Sequence, residues 1–329
     1  MPDGCTAFNI APGPEAFVYD LSQGPRLLVS ASRKDPGAEE ACAVDEPAAE
    51  CGQIVSVGFE EDGSLASPLR MTLEGRPESF APFKPLGLSL LTQNSQGVRL
   101  NYPLLYVLHK EDERSHVELY EVHEERLIYV DQPAAHVDLD GNSNNIAMTP
   151  EGRLFATLFN SRGEVTCSIQ IRELIEDEWV EVGECLRGGN GIVTDGVGQI
   201  YVSAFYDAQI HVYELGETPG ELHFVKVIQL NHPGGALPDN LVWADHKLHV
   251  GAHTSIWGTF QHMLAENDPP HSPSAVFWID PAESSSAALL DSTQAPAAAC
   301  STAFIREDWV YMTQLREPDI YRCPLSITQ

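Results

Sequence analysis

Three polar pairs stand directly ahead of short apolar runs and recur along the chain. Asp239-Asn240 precedes the run 241–243, and Asn144-Asn145 and Asn190-Gly191 precede runs of the same kind. Like positions in three repeats suggest that the side-chain oxygens converge on one point. Hard cations such as calcium take six to eight oxygen ligands from carboxylates, amides and water. The pairs therefore indicate calcium chemistry rather than zinc chemistry.

Each pair opens a first apolar strand, which is followed by a turn and a second strand. These second strands belong to a set of six similar segments. Most are followed by a polar turn and a third strand of alternating polarity, such as 210–214. Repeats of roughly 45 residues built from several strands are typical of propeller blades, and helical patterns are scarce. The sequence thus predicts an all-β, six-bladed β-propeller with a central calcium site, spanning 1–329 as a single domain. The six aligned segments are 26–30, 104–108, 153–157, 199–203, 247–251 and 308–312.

The charge balance excludes one class of partner. Lys and Arg total 19 against 48 Asp and Glu, which gives a formal net charge of -29. Such a surface repels a phosphate backbone and anionic lipid, so nucleic acid is not an expected partner. No stretch approaches the ~20 apolar residues of a transmembrane segment, and no signal peptide is recognisable at the N-terminus.

Seven cysteines leave at least one thiol unpaired within a monomer. Cys5 and Cys323 lie at opposite ends of the chain, where a closing propeller would bring the termini together. The other candidate pairs are Cys42 with Cys51 and Cys167 with Cys185. A terminal disulfide would favour a secreted or periplasmic protein, whereas the missing signal peptide favours the cytoplasm, so the compartment stays open.

Several short motifs follow one another in a fixed order over nearly the full chain. They are Gly13-Pro14-Glu15, Pro85-Leu86-Gly87-Leu88-Ser89, His109 with 116–120, Asn144-Asn145-Ile146, Asn190-Gly191-Ile192, 210–214, Asp239-Asn240 with 250–253, Ser301-Thr302-Ala303 and Tyr321-Arg322-Cys323. Their order and spacing together resemble the calcium-dependent paraoxonase/arylesterase family of six-bladed propellers. A more distant likeness links them to squid-type phosphotriesterases and the gluconolactonase group.

The resemblance implies a ligand set for one catalytic calcium ion. That set would be Glu15, Asn144, Asn190, Asp239 and Asn240. Two carboxylates and three amides would leave the ion with residual positive charge and room for substrate, as a Lewis acid needs in order to polarise a lactone carbonyl or a phosphoryl oxygen. The resemblance also implies a disulfide between the two terminal cysteines.

The chain departs from the family pattern at three positions. Ala16 and Asn145 stand where the family has acidic residues that serve a second, structural calcium ion. That second site is therefore expected to be absent or much weakened. Leu86 replaces the first histidine of the family's proposed water-activating pair. A leucine cannot take a proton, so the general base must be another group.

Three routes to a nucleophile remain open from the sequence. His253 and His109 are the candidate bases, and His253 ranks higher because it follows a strand end at the same face as Asp239. Calcium could instead lower the pKa of bound water without a histidine. In the third route the Asp239 carboxylate attacks a phosphotriester directly.

Apolar residues near these positions could form a substrate pocket. Aromatic side chains follow the strands that carry the ligands or lie in the long segment 254–274, which could cover a pocket mouth. They could equally belong to the core between blades. The predicted pocket residues are Leu86, Phe159, Phe205, Tyr206 and Trp257.

The leading functional hypothesis is a calcium-dependent hydrolase of lactones or aryl esters, with organophosphate triesters as side substrates. The alternative is a non-catalytic propeller that binds a ligand or partner and carries a structural calcium ion, which Leu86 favours. A sugar-lactone hydrolase is a third alternative, and it would require a more polar pocket.

Overall fold

The computed structural model describes residues 4–32, 52–78, 80, 82–110, 114–131, 137–140, 142–159, 168–265, 269–291 and 297–325. Within these ranges the chain is almost entirely β-sheet. The strands are β1 Thr6–Asn9, β2 Pro14–Asp20, β3 Arg26–Ser32, β4 Gly52–Gly58, β5 Leu69–Arg70, β6 Thr72–Glu74, β7 Pro85–Gln93, β8 Arg99–Lys110, β9 Arg114–Val122, β10 Arg126–Val130, β11 Leu139–Asp140, β12 Ser143–Met148, β13 Leu154–Leu158, β14 Ser168–Ile175, β15 Glu178–Leu186, β16 Gly189–Thr194, β17 Gln199–Ala204, β18 Gln209–Leu215, β19 Leu222–Asn231, β20 Leu237–Ala244, β21 Lys247–His253, β22 Ser274–Ile279, β23 Ser285–Ala287, β24 Cys300–Arg306, β25 Trp309–Gln314 and β26 Asp319–Pro324.

These strands form six sheets, and the predicted all-β, six-bladed β-propeller is confirmed. Blades 1 to 5 begin with β2, β7, β12, β16 and β20, and blade 6 begins with β24. Each of these six strands is the terminal strand of its sheet and contacts the corresponding strand of the next blade, so that they close into a ring. Their unpaired edges therefore face a central channel.

Alternation of side chains along each strand explains the packing between blades. In β3, Leu27 and Val29 pack with Phe304 of blade 6, while Leu28 packs on the other side with Leu105 of blade 2. Successive residues of a strand point to opposite faces, and here both faces are buried. This is why the second strand of a blade reads as a continuous apolar run. The core is a series of apolar clusters between blades.

The termini meet in blade 6. Strand β1 pairs antiparallel with β26, and the disulfide predicted between Cys5 and Cys323 is present. Cys185 is also disulfide-bonded, whereas Cys42, Cys51 and Cys167 lie outside the described residues. Cys300 is a buried free thiol, in agreement with the odd number of cysteines.

Removal of the terminal disulfide is expected to destabilise the protein strongly. The bond joins residues 318 apart in sequence, so it removes a large loop-closure entropy from the unfolded chain. We expect the double variant Cys5→Ser/Cys323→Ser to lose about 2 to 5 kcal/mol of unfolding free energy. Guanidinium denaturation of both proteins measures this loss. An unchanged midpoint would show that β1–β26 pairing alone closes the ring.

A buried histidine between blades 5 and 6 makes stability depend on pH. His249 Nδ1 accepts a hydrogen bond from Ile305 N at 3.0 Å, and Nε2 donates to Ala244 O at 3.3 Å. Burial lowers the pKa of His249 to about 4. As the pH falls, the unfolded chain takes up the proton first, near pH 6.5, so stability is lost between about pH 6.5 and 4.

We therefore expect His249 to contribute roughly 1 to 2 kcal/mol to the loss of stability between pH 7 and pH 5. In the His249→Gln variant this part of the pH dependence should disappear, although the variant should be less stable at pH 7. Denaturant midpoints at both pH values test the prediction. His223 is exposed on β19, and His223→Gln should leave the pH dependence unchanged.

In the described part of the chain one α-helix, α1, spans Ile256–Leu264 and lies within the long segment after β21. Ser255 caps its start, because Ser255 Oγ accepts a hydrogen bond from Gly258 N at 3.0 Å. At the other end Arg316 Nη1 donates to His262 O at 2.8 Å. The helix is thus fixed to the loop that follows β25. No helix in the described ranges is long and apolar enough to cross a membrane.

Candidate functional site

All six innermost strands carry a β-bulge at the same level of the channel. At each bulge two residues of the innermost strand lie opposite one residue of the second strand. We call these twelve residues the bulge ring. The pairs, with the residue opposite, are Glu15-Ala16 (Ser30), Leu86-Gly87 (Leu108), Asn144-Asn145 (Thr157), Asn190-Gly191 (Ser203), Asp239-Asn240 (Gly251) and Ser301-Thr302 (Thr313).

The five predicted calcium ligands all lie in the bulge ring. Glu15, Asn190, Asp239 and Asn240 are buried, and Asn144 is half-buried. The atoms Asn144 Oδ1 and Asn190 Oδ1 are buried and have no hydrogen-bond partner among the described residues. Leaving buried acceptors unpaired costs free energy, so their retention here fits a bound cation. Carboxylate and amide oxygens are the donor set that calcium prefers.

Asn145 and Asn240 are joined in a hydrogen-bonded chain. Asn145 Nδ2 donates to Asn240 Oδ1 at 2.8 Å, and Asn240 Nδ2 donates to Ser301 Oγ at 2.9 Å. The NH2 group of Asn145 therefore occupies the place where the resemblance would put a carboxylate for a second ion. An NH2 group carries positive partial charge, so it opposes a cation at that point.

His253 is bound directly to one of the proposed ligands. Its Nε2 lies 2.9 Å from Asp239 Oδ2, and both side chains are buried. An ionised carboxylate only accepts, so Nε2 carries the hydrogen and Nδ1 keeps a lone pair. Nδ1 is buried and has no hydrogen-bond partner in the described part of the chain. The arrangement leaves a basic nitrogen available beside the bulge ring.

Three of the predicted pocket residues lie together next to His253. Phe205 and Tyr206 belong to a 3-10 turn, Phe205–Asp207, directly after β17, and Phe159 follows β13. The ring of Phe205 is 5.9 Å from that of His253 and 5.2 Å from that of Phe159, which stacks on Tyr206. Burial raises the pKa of Tyr206, so its phenol stays neutral. These rings form an apolar wall beside the basic nitrogen.

The other two predicted pocket residues are placed differently. Leu86 packs in the apolar cluster between blades 2 and 3 with Leu108 and Ile146. Trp257 is 69% exposed on the outer side of α1. The structure does not bring either one together with the Phe159, Phe205 and Tyr206 wall.

His109 belongs to a separate buried network between blades 1 and 2. Its Nε2 lies 2.8 Å from Pro82 O, and its ring lies 4.7 Å from that of His116. Burial lowers the pKa of His109 to about 4, so it is neutral near pH 7. His116 Nε2 lies 2.9 Å from Glu118 Oε1. The network thus gives His109 a backbone carbonyl as partner rather than a proposed calcium ligand.

Glu118 is the charged centre of this network. Burial alone would raise the pKa of Glu118, but hydrogen bonds from His116 and Arg76 outweigh it and lower the pKa to about 2. The donor atoms of His109, His116 and Glu118 lie within 4.8 Å of one another, as metal ligands do. However, Glu118 already accepts hydrogen bonds from Arg76, His116 and Tyr120. The Arg76 guanidinium supplies the positive charge that a metal would otherwise provide.

Sequence reasoning missed the hydroxyl groups opposite the bulges. They were present as the last residues of the aligned second strands, where Ser30, Thr157 and Ser203 occupy equivalent positions. In blade 6 the alignment was one residue short, because the residue opposite the bulge is Thr313 rather than Met312. Repeated small hydroxyl residues at a strand end were therefore the available signal.

Radial blades around a channel that is ringed by oxygen donors define a β-propeller with a central site. The chain belongs to the arylesterase family, whose model matches residues 28–289. Membership of this family supports a hydrolase that acts on esters or lactones. A search of curated proteins finds no significant match.

Solved structures show the same fold at low identity. A protein assigned as a gluconolactonase is 16% identical with a TM-score of 0.51, over 98% of this chain and 92% of that one. The aldose sugar dehydrogenase of Streptomyces coelicolor, in its PQQ-bound form, is 13% identical with a TM-score of 0.55, over 98% of this chain and 99% of that one. The calcium-binding protein regucalcin from Agrobacterium tumefaciens is 14% identical with a TM-score of 0.50, over 96% of this chain and 90% of that one. At these identities the likeness shows the fold alone.

Proposed function

We propose that the protein is a calcium-dependent hydrolase of lactones or aryl esters, with organophosphate triesters as side substrates. The observation that carries the proposal is the hydrogen bond between His253 and Asp239 in the same ring as two buried amide oxygens, Asn144 Oδ1 and Asn190 Oδ1, that have no hydrogen-bond partner among the described residues. A purely structural ion would need neither the histidine with a free lone pair nor the apolar wall beside it.

Each residue has a distinct role in the proposed reaction. Glu15, Asn144, Asn190, Asp239 and Asn240 would hold the ion. When bound, calcium supplies a Lewis acid that polarises the carbonyl or phosphoryl oxygen of the substrate. Asp239 accepts a hydrogen bond from His253 and thereby fixes the tautomer in which Nδ1 is the basic nitrogen.

In the proposed reaction His253 acts first as a general base and then as a general acid. His253 Nδ1 accepts a proton from water as the water oxygen forms a bond to the carbonyl carbon. The bond from that carbon to the alkoxide or phenoxide oxygen then breaks, and the leaving oxygen takes the proton from His253. For a phosphotriester, attack by the Asp239 carboxylate on phosphorus remains the alternative first step.

The apolar wall indicates the kind of substrate. Phe159, Phe205 and Tyr206 present aromatic surface beside His253. Such a surface favours an aryl ester or a hydrophobic lactone over a polyhydroxylated sugar lactone. We therefore propose phenyl acetate and alkyl-substituted γ- and δ-lactones as good substrates.

Initial rates on phenyl acetate and on a panel of γ- and δ-lactones test the function, measured with calcium and with chelator. We expect turnover that chelation abolishes and added calcium restores, together with a binding stoichiometry of one ion per chain. The single ion follows from the Asn145 NH2 group in the place of a second-site carboxylate. No turnover under any condition, with calcium still raising Tm, would support the non-catalytic propeller instead.

A further inference from the structure

Buried hydroxyl groups opposite the bulges of blades 3, 4 and 6 connect each of these blades to a proposed ligand residue of the next. Thr157 Oγ1 of blade 3 donates to Asn190 O, and Ser203 Oγ of blade 4 donates to Asp239 O at 2.8 Å. Thr313 Oγ1 of blade 6 donates to Glu15 O at 3.1 Å. Each acceptor is the main-chain carbonyl of a residue whose side chain is a proposed calcium ligand.

The same hydroxyl groups also hold their own blade. Thr157 Oγ1 accepts a hydrogen bond from Asn145 N at 3.2 Å, and Thr313 Oγ1 accepts one from Thr302 N at 3.1 Å. A bulge takes residues out of the regular ladder, so its main-chain groups need other partners. Thr157 and Thr313 thus each supply an acceptor to one bulge and a donor to the following one.

This linkage bears directly on where the ligand oxygens lie. The carbonyl carbon is bonded to the Cα atom from which the ligand side chain starts, so fixing the carbonyl fixes the direction of that side chain. The innermost strands are terminal in their sheets, so no ladder hydrogen bond fixes it from the channel side. At Glu15 O a second hydroxyl group, Thr302 Oγ1, also donates, at 2.6 Å. Preorganised ligand directions lower the free energy that the protein must spend on ordering when an ion binds.

We infer that Thr157, Ser203 and Thr313 are positioning residues that set the directions of Asn190, Asp239 and Glu15 for cation binding. The inference rests on the proposed function, because it assumes that these three residues are ligands. It extends that function by making three of the five proposed ligands dependent on a hydroxyl group of the preceding blade.

The chain offers an internal control for this inference. Ser30 Oγ of blade 1 makes the same kind of contact, with Leu86 O at 2.6 Å. Leu86 has no oxygen in its side chain, and the other contact of Ser30 Oγ is with the main chain of Ala16 at 3.2 Å, so Ser30 bonds no main-chain atom of a proposed ligand. Ser30 and Ser203 are both fully buried. Ser30→Ala and Ser203→Ala therefore remove the same atom from equivalent positions, and only Ser203 is bonded to the main chain of a proposed ligand.

Calcium titration by calorimetry on the full-length protein, with calcium as the only ligand, tests the inference. We expect Ser203→Ala to weaken calcium binding about five- to tenfold, in line with one lost hydrogen bond, and Ser30→Ala to change it less than twofold. Both variants should lower the Tm of the calcium-free protein by similar amounts. Excess calcium should restore the kcat of Ser203→Ala, as expected for a residue that positions a ligand.

Equal losses of affinity in the two serine variants, or no loss in Ser203→Ala, would overturn the inference and leave the proposed function intact. Absence of calcium binding by the unmodified protein would overturn both together. Where Ser203→Ala fails to fold, Thr157→Val and Thr157→Ser decide the question. Thr157→Ser keeps the hydroxyl group and should keep the affinity, and a loss as large as that of Thr157→Val would contradict the inference.

Discussion

Replacement of Asp239 by asparagine is expected to lower kcat on the order of a thousandfold and to weaken calcium binding strongly. The substitution keeps the shape of the side chain but removes one of two carboxylates in the proposed ligand set. It also removes the charged acceptor for His253 Nε2, at 2.9 Å, which holds the basic nitrogen in place. Steady-state rates and calcium titration measure the two effects separately.

The control for this variant is another aspartate near the channel. Asp195 lies at the end of the channel away from the bulge ring, and its Oδ1 accepts hydrogen bonds from Val197 N and Gln199 N. An asparagine oxygen can accept the same bonds, so Asp195→Asn should leave kcat and calcium affinity nearly unchanged. A fully active Asp239→Asn enzyme would remove both the ligand and the orienting role from Asp239.

Replacement of His253 by glutamine is expected to reduce kcat by about 10² to 10⁴ while calcium remains bound. Glutamine can still donate a hydrogen bond to Asp239, but it cannot take a proton from water at neutral pH. The loss should therefore appear in kcat at saturating calcium. Calcium titration of the variant distinguishes this from a loss of metal.

His109→Gln is the matched comparison for His253→Gln. His109 is bound to the Pro82 carbonyl and packs against His116, so its loss should reduce stability and change kcat by no more than about threefold. A greater loss of kcat in His109→Gln than in His253→Gln would reverse our ranking of the two bases. Equal retention of activity in both would favour a base-free route through water activated by the ion.

The blades were predictable because their signals are local. Each second strand is a continuous apolar run buried on both faces. Each innermost strand that carries a proposed ligand also has a short apolar run, which begins no more than two residues after the ligand. The disulfide was also within reach, since the closing of a propeller brings residues 5 and 323 together.

Contacts between distant segments were not predictable in this way. The network around Glu118 depends on Arg76, 42 residues earlier, and no local pattern connects the two. Helix α1 was missed because it has only nine residues, although Trp257, Phe260 and Leu264 follow the helical spacing i, i+3, i+7 on its exposed side. Sequence reasoning interpreted those residues as part of a pocket cover.

Gly87 illustrates why the site could be only partly derived from the sequence. A Cβ atom at this position would lie 2.5 Å from Asn145 Oδ1, so blade 3 can approach blade 2 only because this residue is glycine. Four of the five proposed ligands could be recognised from the repeats, and Glu15 only from the family resemblance. The distances between blades, which decide whether the ligands meet, depend on such close approaches and on the hydroxyl groups opposite the bulges.

The closing of the ring has a consequence for biosynthesis. The carbonyl of Glu15 is held by Thr302 and Thr313, which lie 287 and 298 residues further along the chain. During translation Glu15 leaves the ribosome before the rest of blade 1, but its partners emerge only after blades 1 to 5. A nascent chain with five blades would therefore contain all five proposed ligands without holding Glu15 in place, and we expect high-affinity calcium capture to begin only when the last blade has folded.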